Sequence, residues 1–449
     1  MKLRSIRDQD FGKLFKKSTI TFGIKITGMV VGYLLTIIVT KSSGSEAWGN
    51  YALAYSVLQI FSILAKTGVD TASIRFISEF HSKGENSKMK DYYFKALSIV
   101  CVTSIFFSAL LYFLSPFIAA YIFHKPYFEI FLKIVALGII PQTIIDLHAE
   151  MFKGMKKPGI FAFFRFTSTH ISTILFIGFI LLFSSQNIDG YLAMKATTIG
   201  LWFASIVAMI LWFVNGKFFS LPSEPSMSRK QILIVSGPMM ISMSILMIMG
   251  FTDTLMLGSL LKNTSSLGIY NVASKISTTI ALALMAVNSV STPRYAEYYS
   301  NNQLDKVRKV VKQSTKLIFW VSFPLCLVCI IFPITILNIF GEEFGIGATA
   351  LILLTIGRFI SSICGSVGYL LQMTGHQKIM QNIILISLII SIGLNYFLIP
   401  IYGINGAAFA TMVSTAFWNI VGVYYIKKRL NILTIYYPNF LKRLVFRLF

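Results

Sequence analysis

Charged side chains interrupt several long apolar stretches of this 449-residue chain. Lys25, Lys66, Lys275 and Arg358 lie within such stretches, and Asp253 lies within another. A charge in hydrocarbon costs about 3 kcal/mol even by the lower estimates, so it usually faces a partner charge or a polar pathway. Cationic side chains in such places could bind a phosphate or another anion. We therefore take the four basic residues as candidates for a cationic cavity, and Asp253 as an ion-coupling group or a structural partner of Lys275.

The depth of each charge within its apolar stretch separates these candidates. Arg358 lies near the middle of its stretch, whereas Lys25 and Lys66 lie close enough to one end to extend their ammonium groups to the membrane surface. Asp146 and Arg165 also lie close to the ends of apolar stretches, and we interpret both as interfacial. Arg358 is therefore the strongest anion-binding candidate by depth.

Other chemistry finds little support in the sequence. No GxxxxGK[ST] motif for a nucleotide phosphate is present, and the carboxylates and histidines do not cluster at metal-ligand spacing. Cys326 and Cys329 have CxxC spacing, but their apolar surroundings favour packing over a redox or zinc site. We predict no metal, no cofactor and no enzymatic activity.

The composition places the chain in a membrane. Hydrophobic residues make up 55% and charged residues only 13%, and the mean hydropathy is +0.72. Such a composition excludes an ordinary soluble enzyme. The net charge of +23 is distributed between apolar stretches and does not form one patch, so it indicates membrane topology and no nucleic-acid partner.

A helix that spans the bilayer needs about 20 mostly apolar residues. By this criterion the sequence predicts an all-α polytopic membrane protein with about twelve transmembrane helices. In the first half they cover residues 18–40, 48–70, 94–119, 128–147, 160–183 and 191–215, and in the second half 231–260, 267–292, 317–340, 346–372, 381–400 and 406–426.

Lysine and arginine alternate sharply between successive loops. With the N-terminus inside, thirty-one of them fall on the inner side and four on the outer side, so both termini are predicted to be cytoplasmic. The predicted domains are an N-terminal six-helix lobe (1–215), a cytoplasmic linker (216–230), a C-terminal six-helix lobe (231–426) and a basic amphipathic tail (427–449). The tail and the amphipathic segment 304–316 are expected to lie on anionic lipids of the inner leaflet.

Short motifs recur between the two predicted halves. Gly49-Asn-Tyr51-Ala-Leu-Ala54 returns as Gly268-Ile-Tyr270-Asn-Val-Ala273, at an offset of 219 residues, and Arg75 falls on Arg294 at the same offset. An internal duplication would relate two lobes by an axis along the membrane normal.

These motifs carry a resemblance to a known family. Asp253-Thr-Leu-Met-Leu-Gly258, a short loop and Leu267-Gly268-Ile-Tyr270-Asn-Val-Ala273-Ser-Lys275 resemble the second-half signature of Wzx-type polysaccharide flippases. Gly44-Ser-Glu-Ala-Trp48-Gly49-Asn-Tyr51 agrees in the first half. This family is the polysaccharide transporter branch of the multidrug/oligosaccharidyl-lipid/polysaccharide superfamily.

The resemblance implies two six-helix lobes around a central cavity. It also implies secondary or facilitated transport of undecaprenyl-pyrophosphate-linked oligosaccharide across the bacterial cytoplasmic membrane, by alternating access, with polysaccharide polymerase machinery as a further partner. Lys275 occupies a position where related flippases also place a basic residue, so the resemblance makes it, with Arg358, one of the two strongest anion-binding candidates. The alternatives are a lipid II flippase, a drug/cation antiporter of the same superfamily and a membrane glycosyltransferase or polymerase.

Overall fold

The computed structural model describes residues 2–183, 188–216 and 224–436. Residues 437–449, most of the predicted basic tail, therefore lie outside the described residues. Within the described ranges every regular element is a helix. The α-helices are α1 (Lys2–Ala65), α2 (Val69–Lys83), α3 (Asn86–Phe117), α4 (Glu129–Gly154), α5 (Pro158–Ala162), α6 (Ser168–Phe183), α7 (Gly190–Gly216), α8 (Arg229–Leu260), α9 (Thr264–Ser277), α10 (Leu282–Ser300), α11 (Leu304–Ile331), α12 (Pro333–Asn338), α13 (Ala348–Cys364), α14 (Val367–Met373) and α15 (Gln377–Leu430).

The described residues contain nine helical segments that are long and apolar enough to cross a membrane. Two of them, Thr19–Ala65 and Gln377–Leu430, are long enough for two crossings, and each is interrupted once by non-helical backbone. α8 carries a further apolar stretch, Met247–Leu260, in the place of the seventh predicted span. The prediction of an all-α polytopic membrane protein is confirmed.

The breaks between helices are shorter than the sequence suggests. Between the first two predicted spans, only Ser43 and Gly44 leave helical geometry. The second span ends at Ala65, earlier than predicted, because Thr67 and Gly68 both have positive φ. At Gly68 a Cβ would also overlap the backbone of α8, so both the backbone conformation and the close approach require glycine.

The chain folds as two compact units, Met1–Gly268 and Ile269–Phe449. In the first unit α4 packs against α1, α2, α3 and α7, and α8 packs against α1 and α2. In the second unit α13 packs against α11 and α15. Residues 217–223 of the predicted linker lie outside the described residues, and the described Ser226 binds α3 through the Asp91 carboxylate, with its N–H at 2.8 Å and its hydroxyl at 2.7 Å.

A buried lysine caps the C-terminal end of α8. Lys125 follows α3 and is 2% exposed, and its Nζ donates to the carbonyls of Gly258 at 2.6 Å and Leu261 at 2.7 Å. The last carbonyls of a helix lack intrahelical partners, so a cation there satisfies them. Burial also lowers the pKa of the Lys125 ammonium. In the sequence Lys125 is a lysine in a predicted loop. In the structure its hydrogen bonds join the α3–α4 connection to the end of α8.

The first glycines of the repeated motif meet in the first unit. A Cβ on Gly49 would overlap the carbonyl oxygen of Thr264, and a Cβ on Gly268 would overlap that of Ser45. These contacts are equivalent, because Thr264 and Gly268 each lie 219 residues after Ser45 and Gly49. The hydroxyls of Ser45 and Ser265 are hydrogen-bonded beside them. Segments 45–49 and 264–268, which lead into the two copies of the motif, therefore cross with their backbones in direct contact, an arrangement that small residues permit.

Candidate functional site

A cluster of buried charges forms where α1 ends. Lys66 follows the last residue of α1, and the turn at Gly68 brings α2 back beside it. The Lys66 Nζ lies 2.8 Å from Asp146 Oδ2 on α4 and 3.2 Å from Asp70 Oδ2 on α2. Lys66 and Asp146 are 4% and 2% exposed, so this contact between three helices is shielded from solvent.

Asp146 is the centre of this ionic cluster. Its Oδ1 accepts hydrogen bonds from Arg165 Nη1 at 2.8 Å and from Gln142 Nε2 at 3.1 Å, while Oδ2 accepts from Lys66. Arg165 lies on a π-helical turn, Phe163–Thr167, a wider turn of a kind that often occurs at functional positions. The interfacial depth of Asp146 stays a prediction, and the structure adds that its carboxylate is enclosed between helices and bonded through both oxygens.

Lys25 lies next to the ionic cluster but is bound differently. Its Nζ lies 4.5 Å from the centre of the Phe166 ring, the residue after Arg165. Among the described residues, Lys25 forms no ion pair with a carboxylate. A cation over an aromatic ring keeps its full charge and remains able to bind an anion.

The ionic cluster borders a narrow cleft. Lys66, Asp70 and Thr71 line one side, and Met240, Ser244 and Met247 of α8 line the other. Two carboxylates, Asp70 and Asp146, balance Lys66 and Arg165, so the cluster itself is close to neutral and Lys25 adds one positive charge. The geometry therefore places Lys66 in an internal ion network, whereas Lys25 has no carboxylate partner among the described residues.

The remaining predicted site residues lie in other places. Asp253 is 8% exposed on α8, in the first unit. Lys275 lies in the last turn of α9 and Arg358 in the middle of α13, both in the second unit and both partly exposed. The Asp253–Lys275 pair stays a prediction, and so do the roles of Lys275 and Arg358 in anion binding.

Sequence reasoning missed the ionic cluster, although one signal for it was present. Lys66 and Asp70 are opposite charges only four residues apart, and this pair could have been recognised, although the turn at Gly68 and not a shared helical face brings them together. Asp146 and Arg165 are distant in sequence from Lys66, so their convergence depends on how α4 and the π-helical turn pack against α1.

Comparison with known protein families shows which family this chain belongs to. The polysaccharide biosynthesis protein family matches residues 14–299, more than half of the sequence. The chain belongs to this family. A second family, MatE, matches residues 238–397.

Two curated relatives align with nearly the whole chain. A probable low-salt glycan biosynthesis flippase, Agl15 from Haloferax volcanii, is 24% identical over 93% of this chain and 84% of its own length. A probable flippase from the same organism, AglR, is 23% identical over 92% of this chain and 83% of its own length.

Solved structures of transporters share the fold. An inward-facing multidrug resistance MATE family transporter of the MOP superfamily aligns with a TM-score of 0.72 at 13% identity, over 92% of this chain and 98% of its own. The MATE multidrug transporter DinF-BH aligns with a TM-score of 0.66 at 17% identity, over 95% of this chain and 96% of its own. The fold of these membrane transporters is therefore shared over more than nine tenths of this chain.

Proposed function

We propose that this member of the polysaccharide biosynthesis protein family flips a polyprenyl-pyrophosphate-linked oligosaccharide across the cytoplasmic membrane by alternating access. The observation that carries the proposal is the full-length similarity to two proteins named as probable flippases, one of them for glycan biosynthesis. The cations within its apolar helices fit such a substrate, because a pyrophosphate that leaves water needs positive partners.

Each cation has a distinct place in this proposal. Lys25 is the first-unit candidate for the pyrophosphate because no carboxylate in the described residues neutralises it. Lys275 and Arg358 are the second-unit candidates, since both side chains are partly exposed within apolar helices. Lys66 orders the ionic cluster and does not bind substrate directly. Undecaprenyl is the lipid carrier that the sequence resemblance favours.

The drug/cation antiporter, the lipid II flippase and the membrane glycosyltransferase are not favoured. The MATE structures are only 13% and 17% identical, a level at which similarity concerns the fold. In the predicted spans lysine and arginine outnumber the acids, which suits an anionic substrate better than a cationic drug. Transport without hydrolysis agrees with the lack of a phosphate-binding loop in the sequence.

The proposed location is the cytoplasmic membrane with both termini inside. The sequence favours a bacterial membrane, and the curated relatives come from archaea, where the cytoplasmic membrane is the equivalent location. On α11, Val307 and Val311 are buried while Lys306, Arg308, Lys309 and Lys312 are exposed. This basic face supports a contact with anionic lipids, and polysaccharide polymerase machinery is a further proposed partner.

Topology can be tested with exposed single cysteines in a variant that lacks the four native cysteines. In intact cells, Ser82→Cys and Asn301→Cys should be protected from a membrane-impermeant thiol reagent, whereas Lys262→Cys should react. All three positions are solvent-exposed, so a difference in labelling reports the side of the membrane. Labelling of Ser82→Cys or Asn301→Cys without permeabilisation would contradict the proposed orientation.

The cation proposal predicts a separation of transport from stability. Lys25→Ala, Lys275→Ala and Arg358→Ala should each reduce flipping in proteoliposomes by about 100-fold, because each removes a charge that contacts the pyrophosphate. Protein abundance should stay near that of the wild type, since a cation that faces a wet cavity contributes little to folding. The measurement is flipping of extracted lipid-linked oligosaccharide, normalised to reconstituted protein.

The alternative role of Lys275 is tested through Asp253. If the two residues form a structural pair, Lys275→Gln should lower abundance and Asp253→Asn should restore it together with transport. Recovery of transport in the double variant would show that Lys275 does not bind substrate and would leave Lys25 and Arg358 as the cationic contacts.

A further inference from the structure

A shallow groove of about 410 Å³ lies in the first unit, away from the ionic cluster. It is formed by the segment of α1 that follows the Ser43–Gly44 break and by the first residues of α4 and α7, together with the turn that precedes α4. Its polar lining comes from Glu46, Asn50 and Asp189, and its aromatic lining from Tyr127, Phe131 and Tyr191. In the proposed topology all of these residues lie at the outer ends of their helices.

The polar groups of the groove have hydrogen-bonding capacity to spare. Asn50 is 8% exposed, and its Oδ1 accepts from the Tyr127 hydroxyl at 3.3 Å, while its amide nitrogen has no partner among the described residues. Glu46, one helical turn before Asn50, has no ion pair or hydrogen bond within the described part of the chain. Asp189 Oδ1 accepts from Leu192 N–H at 2.7 Å, and Oδ2 has no hydrogen bond within the described part of the chain.

The aromatic groups are held in place before any ligand arrives. The Tyr191 ring packs edge-on against Phe131, with 6.0 Å between ring centres, and Lys195 Nζ lies 4.8 Å from the centre of Tyr191. Tyr127 is fixed by its bond to Asn50 but is 50% exposed, so much of its surface is open to solvent. Fixed aromatic surfaces lower the entropy that is lost when a ligand binds.

This combination fits a carbohydrate better than an ion. Carboxylates and amides bind pairs of neighbouring sugar hydroxyls, because they accept from one hydroxyl and donate to or accept from the next. The C–H faces of a sugar ring pack on aromatic surfaces, which bury apolar area and keep a polar edge. A site for a simple cation would need the carboxylates but not the aromatic side chains of the lining.

We propose that this groove binds the sugar portion of the lipid-linked glycan on the outer side of the membrane. The inference rests on the proposed flippase function and adds a sugar site to it, separate from the cations that would hold the pyrophosphate. Binding here draws the polar end of the substrate outward, and a shallow open groove lets it leave again.

The ligand for the test is the oligosaccharide that mild acid releases from the lipid-linked glycans of cells that carry the protein. The measurement is the affinity of the protein for this oligosaccharide. Full-length purified protein is compared with the groove variant Glu46→Gln/Tyr127→Ala by equilibrium dialysis. We expect an affinity loss of about tenfold or more, since both hydroxyl contacts and ring packing are removed. Tyr127→Phe keeps the ring and loses only the bond to Asn50, so its loss should be smaller.

A matched control removes the same chemical groups outside the groove. Tyr121 is 70% exposed just after α3, and Glu342 is an exposed carboxylate in the second unit. The control variant Tyr121→Ala/Glu342→Gln should bind the oligosaccharide as the wild type does. An equal loss in the control would mean that the tyrosines act only as an interfacial aromatic belt, and that result would overturn the proposal.

Three further outcomes are decisive. The sugar site would be overturned if the groove variant bound the oligosaccharide with wild-type affinity, or if the wild type did not bind it. Binding of Mg²⁺ in the groove without binding of the oligosaccharide would also overturn it. Flipping of the intact lipid-linked glycan is measured in parallel. Flipping without binding in the groove rejects only this inference, whereas binding in the groove without flipping rejects the flippase proposal and keeps the sugar site.

Discussion

A disulfide between Ser45→Cys and Ser265→Cys should stop translocation, and a reductant should restore it. The two native hydroxyls are hydrogen-bonded, so cysteines at these positions are close enough to be joined. If the outer side opens by separation of the two copies of the repeated motif, the cross-link prevents that opening. Flipping should fall below about a hundredth of the wild-type rate, because a covalent bond leaves the open state essentially unpopulated.

The single variants provide the control for this experiment. Ser45→Cys alone and Ser265→Cys alone, each in a background without Cys101, Cys326, Cys329 and Cys364, should transport normally under oxidising conditions. Complete cross-linking with undiminished flipping would show that the crossing of the two motifs stays closed throughout the cycle. The outer opening would then have to form elsewhere.

This crossing also explains why the repeat is visible in the sequence at all. Gly49 faces the carbonyl of Thr264 and Gly268 faces that of Ser45, each four residues before the other glycine, so a larger residue at either position would push the two segments apart. An equivalent contact made by both copies constrains both sequences in the same way, as in an isologous interface. The motif therefore reflects a packing requirement, and the sequence alone could not indicate that the two copies touch.

The sequence predicts the membrane helices well because hydropathy measures a requirement that every crossing must meet. It predicts the depth of a charge along its helix but not the direction in which the side chain faces. Depth alone made Asp146 look interfacial, whereas the packing of α4 against α1 and α2 encloses it. The break at Gly68 was also hidden, since a two-residue interruption barely changes the hydropathy of a stretch.

The groove was beyond sequence reasoning for a related reason. Glu46, Tyr127 and Asp189 belong to three separate connections, and nothing in their local sequence says that these connections meet. Exposed tyrosines at helix ends are common in membrane proteins, so each one alone indicates only an interface. The buried amide of Asn50, which lines the groove and accepts from Tyr127, becomes evident only from the folded chain.

The second large effect is expected in the ionic cluster. Lys66→Met leaves Asp70 and Asp146 with one cation fewer, and Asp146→Asn leaves Lys66 and Arg165 with one anion fewer. Removal of one partner from a buried ion pair typically costs about 3–5 kcal/mol, because the remaining charge is left uncompensated. Each single variant should therefore unfold at a markedly lower temperature in detergent and accumulate poorly in membranes.

The double variant decides what the cluster does. Lys66→Met/Asp146→Asn removes one charge of each sign and keeps Asp70 and Arg165, so its loss of stability should be clearly smaller than the sum of the two single losses. The matched control is the exposed pair Lys83 and Glu79 on α2, with side chains 55% and 45% exposed. Lys83→Met/Glu79→Gln should leave the unfolding temperature unchanged, since a solvated pair contributes little. Additive losses would show that Lys66 and Asp146 do not stabilise each other and would contradict the ion network. Single variants that fold normally and fail only in transport would make Lys66 a direct substrate contact.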